Sequence, residues 1–561
     1  MKREKIVIYQ LFPRLFGNKK PFMKSWGMPI DNGCGKFQDI DNSAIAGLKE
    51  LSISHVWLTG IIRHATGNSY PENNLPGSNP QIMKGIAGSP YAIKDYYDVD
   101  PDLAETVDKR MDEFEALVQR IHNQGLKVII DFVPNHVSRD YSSENKPSNI
   151  KNLGENDNSS FRFLLSNNFY YLPGQKLELP GKYGNKGFQE NPAKATGNDI
   201  FSPNPSKNDW YETIKLNYGI DPQYGIKQFD PIPDTWNKMT DILRFWSEKG
   251  VDGFRCDMAG MIPVEFWNFA IGKIKDEYNN TLFIAEIYEP EKYRDFIETA
   301  GFDYLYDKLG LYDTLKDIIC GKKNTDSISS VWQKLDGLDK HMLRFLENHD
   351  EQRIASGHFA GDGLKGLPGM ALSSMMNTGP VMIYNGQEVG EDARGATGFS
   401  GDDGHTSIFD YCSMPEFQKW VNNGAYDGGL LSEDQKKLRK LYSDLLEFTR
   451  SEPEFSGQFY DLMWQNQDLD PGIKNKIYAF LRYNEISTLL IVISFSHDIK
   501  NIRIRVPYHA LENTALAGKD RISASYLYPE IGESNLMMSQ IGGSGISVSL
   551  KQAGWAAIRI E

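Results

Sequence analysis

At 561 residues the chain is longer than one ordinary domain, so a large body with one or two smaller units is expected. Its net charge of −14 argues against nucleic acid or an anionic membrane as the main partner, because both select basic faces. Four scattered cysteines (Cys34, Cys256, Cys320, Cys412) form no CxxC pair and no metal-like spacing, which leaves a disulfide framework without support.

The beginning of the chain imitates a signal peptide, with Lys2, Arg3 and Lys5 ahead of an apolar run. Gln10 and Arg14 interrupt that run and no small-residue cleavage site follows, so Ile6–Phe12 reads as a first strand. No apolar run approaches a membrane span, and a cytoplasmic enzyme is the expectation.

From there short apolar strands alternate with helical stretches. Ala44–Leu51 has helical spacing, His55–Thr59 is a strand, and Val107–Gln124 is an amphipathic helix ending at Gly125. Lys127–Val133 is the third strand. After an interruption come helix Thr240–Lys249, strand Val251–Asp257, helix Val264–Glu277 and strand Leu282–Glu286. Phe302–Tyr306, Met342–Leu346 and Pro380–Tyr384 complete eight strand candidates. This alternation points to an α/β protein with a (β/α)8 TIM barrel. The other reading of the pattern, a doubly wound open sheet, lacks the glycine fingerprint for phosphate.

Two stretches break the alternation. Residues 138–219 are rich in Asn, Gly, Pro and Ser and follow the third strand, too long for a loop, so they read as an inserted small domain. After helix Ser432–Arg450 the runs Ile477–Tyr483, Thr488–Phe495, Ile502–Val506 and Trp555–Ile560 alternate with period two, as an antiparallel β-sandwich does. The expected division is a catalytic barrel of 1–137 and 220–452, an insert of 138–219 and a C-terminal domain of 453–561.

Chemistry in such a barrel sits at the carboxyl ends of the strands. Strand three ends in Asn135-His136, strand four in Arg255-Cys256-Asp257, strand five in Ala285-Glu286 and strand seven in Asn348-His349-Asp350. Three acids, two histidines and an arginine thus face one mouth. Two acids flanking a labile bond serve glycoside hydrolysis, one ionised to attack carbon and one protonated to expel the leaving oxygen. Arg255, on the same strand face as Asp257, is expected to keep that carboxylate ionised. Glu286 lies among Ile284, Ala285, Ile287 and Tyr288, a neighbourhood expected to raise its pKa.

The segments DFVPNH, GFRCDMA, IAEIYEP and FLENHD, in this order, resemble the four short signature segments of the α-amylase family, glycoside hydrolase family 13. IYQLFPRLFG, VWLTGI, SPYAIKDYYDVDP, KLNYG and GPVMIYNGQE extend the likeness from residue 6 to about 450. The resemblance implies a retaining double displacement, with Asp257 as nucleophile, Glu286 as general acid/base and Asp350 stabilising the distorted sugar. It implies that His136 and His349 hydrogen-bond that sugar, that Arg255 orients Asp257, and that Tyr91 forms the platform under the ring. It also places Asn135 at the family's calcium site and Asp131 beside it.

The chain departs from the family where Lys-His usually follows the nucleophile by three and four positions; here these are Gly260 and Met261. The missing histidine removes a calcium partner, so no cofactor is required on this reading, while calcium stays open. Gly401-Asp402-Asp403-Gly404-His405 reads as a surface turn rather than a metal site. The partner implied is a starch-derived α-glucan oligosaccharide cut at α-1,4 links. A transferase using the same trio is the alternative, and an inactive sugar-binding relative would be expected to lack one of the acids. Oligomeric state and linkage preference have no signature in the sequence.

Overall fold

Eight short strands close into a parallel barrel in simple sequential order: β1 Val7–Leu11, β2 His55–Leu58, β3 Lys127–Phe132, β4 Gly253–Cys256, β5 Leu282–Ala285, β6 Tyr304–Tyr306, β7 Met342–Leu343 and β8 Val381–Tyr384. β1 pairs with both β2 and β8, and a parallel bridge from Arg344 to Val381 joins the two remaining edges. The barrel is therefore closed. The computed structural model describes the whole chain except residues 1–4, 22, 182–186, 396–397, 497, 500, 513, 515 and 551–553, so Lys2 and Arg3 lie outside the described residues.

The strands read as unbroken apolar runs because both of their faces are covered. One face of each points into the barrel, where Ile8, Trp57, Ile129, Ile284, Tyr306 and Met382 belong to a single packed cluster. The other face meets the helices. α1 (Asn42–Lys49) starts on the side chain of Asp41, which accepts from the Ala44 N–H. α2 (Arg110–Asn123) buries Phe114, Leu117, Val118 and Ile121, an i, i+3, i+4, i+7 stripe, and stops before Gly125 at φ 76°. α3 (Asp234–Glu248) begins six residues before the expected start. Its first turns carry Lys238 into the core, where Nζ donates to Asn152 O and Asn168 Oδ1, both at 2.9 Å. That polar residue masked the apolar period. α4 spans the expected Val264–Glu277.

A small domain is inserted after β3. It leaves and returns through one antiparallel ribbon, His136–Ser138 against Thr213–Lys215, and carries a second pair, Tyr171–Leu172 with Ala193–Lys194. The loop after β2 also holds a ribbon that sequence reasoning did not foresee, Ile62–His64 against Ile93–Val99. Beyond α5 (Glu433–Ser451), capped by Ser432, the chain forms an antiparallel β-sandwich domain. Its main sheet has six strands: β9 Gln458–Asp461, β10 Ile477–Tyr483, β11 Thr488–Ser494, β13 Arg521–Tyr528, β14 Glu530–Met537 and β16 Trp555–Ile560. A ribbon of β12 Asn501–Ile504 and β15 Ile546–Ser549 shares its core through Ile502, Ile504, Ile546 and Val548. Among the described residues, no helix is long and apolar enough to cross a membrane.

Candidate active site

The barrel ladder itself brings the first two acids together. Cys256 of β4 is in register with Ala285 of β5, so Asp257 and Glu286 are the next residues on two neighbouring strands. Their backbones still follow the ladder: the Asp257 N–H donates to Phe132 O at 2.8 Å and the Glu286 N–H to Cys256 O at 3.1 Å. Immediately after Asp257 the chain turns sharply, with Met258 at φ 45°. This left-handed conformation costs about 1–2 kcal/mol for a residue with a side chain, and it aims the Met258 N–H at Glu286 Oε2, 2.7 Å away.

Arg255 sits beneath both carboxylates, fully buried. Its Nη1 donates to Asp257 Oδ1 at 2.8 Å, and its Nη2 lies 2.8 Å from Glu286 Oε1. Nη1 is also 3.4 Å from Asp131 Oδ1, on the register partner in β3. The guanidinium carbon lies 5.4 Å from the ring centres of Trp57 and Tyr91 and 5.5 Å from that of Tyr306. One cation thus serves three acids, which corrects two expectations. Arg255 does not hold Asp257 low: burial, then the charge of Glu286, push that carboxyl well above the usual range, with Arg255 opposing them. Nor is Glu286 in apolar surroundings, since its oxygens meet Arg255, the Met258 N–H and the Tyr288 hydroxyl, which donates at 2.6 Å.

Asp131 is a supporting group. Its Oδ2 accepts from the Trp57 indole N–H at 3.1 Å and from the Gly60 N–H at 3.3 Å. His349 is held from two sides, with Nδ1 2.8 Å from the Gln10 amide and Nε2 2.5 Å from the Tyr91 hydroxyl. Nε2 also lies 3.0 Å from Asp350 Oδ2. Burial works against an ionised Asp350, but His349 and Arg255 outweigh it and bring its pKa down to about 2. His136 goes down to about 3, through burial and then the charges of Lys215 and Lys84, so it is neutral at pH 7.

Asp257, Glu286, Asp350, His136 and Tyr91 all line one cavity of about 240 Å³. Arg255 forms the floor beneath the acids, and His349 stacks on Tyr91 with ring centres 5.1 Å apart. Seven of the eight residues singled out from the sequence therefore converge. The eighth, Asn135, does not line the cavity; its Nδ2 lies 3.2 Å from His136 Nδ1, and its Oδ1 accepts from Lys215 Nζ of the insert at 2.6 Å. Among the described residues no group of three or more His, Cys, Asp or Glu side chains is arranged to hold a metal ion.

Residues 10–300 match the family model of the alpha-amylase catalytic domain. The chain belongs to the alpha-amylase family. Similar family members include Alpha-amylase 2 of Dictyoglomus thermophilum, 22% identical over 440 residues, which is 77% of this chain and 62% of that protein. Another is a cyclomaltodextrin glucanotransferase of Bacillus sp. (strain 1011), 24% identical over 403 residues, covering 68% of this chain and 49% of the relative. The chain spans about half to two thirds of the length of these curated relatives. Among solved structures, a maltogenic alpha-amylase from Thermotoga neapolitana shares the fold with a TM-score of 0.59 at 20% identity, over 100% of this chain and 97% of that one. An alpha-amylase from Geobacillus thermoleovorans does so with a TM-score of 0.62 at 16% identity, over 99% and 98%.

Within this family fold, several lining residues come from outside the signature segments. Trp210, from the insert, packs 5.1 Å from the His136 ring, and Lys84 and Phe409 reach the cavity from the loops after β2 and β8. Tyr288 lies inside the segment IAEIYEP, two residues past Glu286, where the sequence shows an aromatic neighbour and not a donor to that acid. The others lie in loops without periodicity, and only the folded chain brings them in.

Proposed function

We propose that the protein is a retaining α-glucan hydrolase that cuts α-1,4-glucosidic bonds of starch-derived oligosaccharides. The observation that carries this reading is three acids lining one small cavity, two of them on a single guanidinium fork. In this reading the two acids titrate as a pair and react with the proton on Glu286 and Asp257 ionised against Arg255 Nη1. Asp257 attacks the anomeric carbon and Glu286 protonates the departing oxygen, then activates water for the second displacement. Asp350, ionised beside His349, holds sugar hydroxyls and balances the developing positive charge. His136 and His349 hydrogen-bond the same sugar, and Tyr91 supports its ring.

Retention is supported by the fork. Acids on one planar guanidinium stay close, as the ~5–5.5 Å of retaining pairs requires, rather than the ~6.5–9.5 Å that admits a water between them. A cavity of about 240 Å³ is below the ~300–1,000 Å³ of drug-sized sites and suits one sugar ring at the reacting position.

Transfer to a second sugar is the alternative reading. Trp210, Met258 and Phe409 give part of the cavity lining an apolar character that favours a sugar acceptor over water. Product analysis on maltoheptaose tests both, with Asp257→Asn and Glu286→Gln alongside the wild type. Shorter sugars alone support hydrolysis, and longer ones beside them move the assignment to transfer. Full activity in either folded variant overturns the mechanism.

A further inference from the structure

The oxygen that the family resemblance assigns to calcium already holds a cation, and that cation is a side chain of this protein. Lys215 ends the strand by which the insert returns, directly opposite His136 in the antiparallel register. Its Nζ donates to Asn135 Oδ1 at 2.6 Å and lies 2.9 Å from Asp199 Oδ1. Asn135 is fixed from its other end, where Nδ2 donates to Gly197 O at 2.8 Å. The end of β3, the 197–199 loop and the return strand thus meet around one ammonium.

The arrangement does not fit calcium. That ion needs six to eight oxygens at about 2.3–2.6 Å, and here the Asn135 and Asp199 oxygens are already committed to an ammonium group. Met261, at the position of the family's calcium histidine, instead lines a neighbouring cavity of about 340 Å³ together with Lys215 and Asp199. Lys215 is only 7% exposed. A buried ammonium is retained only where partners repay its lost hydration, and Asn135 with Asp199 are those partners.

We propose that Lys215 is a built-in cation that replaces a metal ion in fastening the insert to the mouth of the barrel, and that it thereby positions His136 over the cavity. Two consequences separate this from an incidental ion pair. The insert is locked without any dissociable ion, so chelators and calcium leave its stability unchanged. The position of His136 depends on a charge that is not itself in contact with the sugar.

The test is thermal unfolding followed by circular dichroism, with EDTA, with calcium chloride and with neither. The wild-type midpoint is expected to be the same in all three. Lys215→Met, which keeps the stem and deletes the charge, is expected to lower the midpoint by roughly 5 °C or more, and Lys215→Arg to restore most of it. On maltoheptaose, Lys215→Met should raise KM about tenfold with a smaller change in kcat, because His136 is displaced rather than removed. A wild-type midpoint that falls in EDTA and recovers with calcium overturns the proposal, as does a Lys215→Met midpoint equal to the wild type. The unfolding measurements need no turnover, so they stand even if the proposed hydrolysis fails. The chelator arm needs no variant, so it decides even if Lys215→Met does not fold.

Discussion

Replacing Arg255 by lysine keeps the charge and removes the fork. In the structure Nη1 and Nη2 each lie 2.8 Å from a different carboxylate, Asp257 and Glu286, and Nε donates to the Tyr306 hydroxyl at 3.2 Å. A lysine ammonium is a single point on a flexible stem and cannot span both acids. One charged contact is lost, a cost of about 1.5–3 kcal/mol. If that contact is made to the reacting pair in the transition state, kcat falls roughly ten- to 150-fold. The direction of the pH effect follows from the same geometry. Arg255 opposes the burial and the Glu286 charge that raise Asp257, so weakening it raises Asp257 further and moves the acid limb of the rate profile to higher pH. The assay is kcat and KM on maltoheptaose across pH, with circular dichroism to confirm folding. A folded Arg255→Lys enzyme within twofold of the wild-type kcat, and with an unmoved acid limb, would show that the fork does not serve the reacting pair.

Tyr288→Phe removes the hydroxyl that donates to Glu286 Oε1 at 2.6 Å; kcat is expected to fall about tenfold with little change in KM, as steady-state kinetics would show. Arg344 lies where β7 meets β8, and its Nε is 3.0 Å from Asp307 Oδ2 with both side chains 1% exposed. Arg344→Met therefore strands a buried carboxylate, and urea unfolding should show a loss of about 3–5 kcal/mol; an unchanged midpoint would count against this pair as a barrel fastener. Asp350, at about 2 in the fold against about 3.9 unfolded, adds stability that is present above about pH 4 and lost as pH falls through 2. The stability gap between the wild type and Asp350→Asn should accordingly shrink over that window in acid unfolding, and a gap independent of pH would contradict the assignment.

The barrel was legible because its strands are short apolar runs separated by amphipathic helices, and burial on both faces is what such runs report. β10 and β16 run over the expected residues, and α4 likewise. β13 and β14 were not foreseen. Ile522 and Ala524 alternate with Ser523 and Ser525 as a one-face-buried strand does, so β13 carries a period-two signal that sequence reasoning missed, while Pro529 between the strands reads as a break. In the site, Asp257 and Glu286 could be read because each directly follows its strand, whereas Asp350, seven residues past the end of β7, could be read only by carrying that strand on to Leu346. The electrostatics could not, since they depend on the register of β4 against β5, which sets one guanidinium under both carboxylates. Lys215 was equally hidden. KLNYG was matched as a motif, but only the ribbon with His136 shows that its lysine stands on Asn135.

Two successive displacements by Asp257 and Glu286 would return the anomeric carbon to its starting configuration. Proton NMR of a maltoheptaose digest, recorded before the free sugars mutarotate, reads this directly from the anomer of the first product. The α-anomer is expected. A β-anomer would show a single inverting displacement and contradict the double displacement.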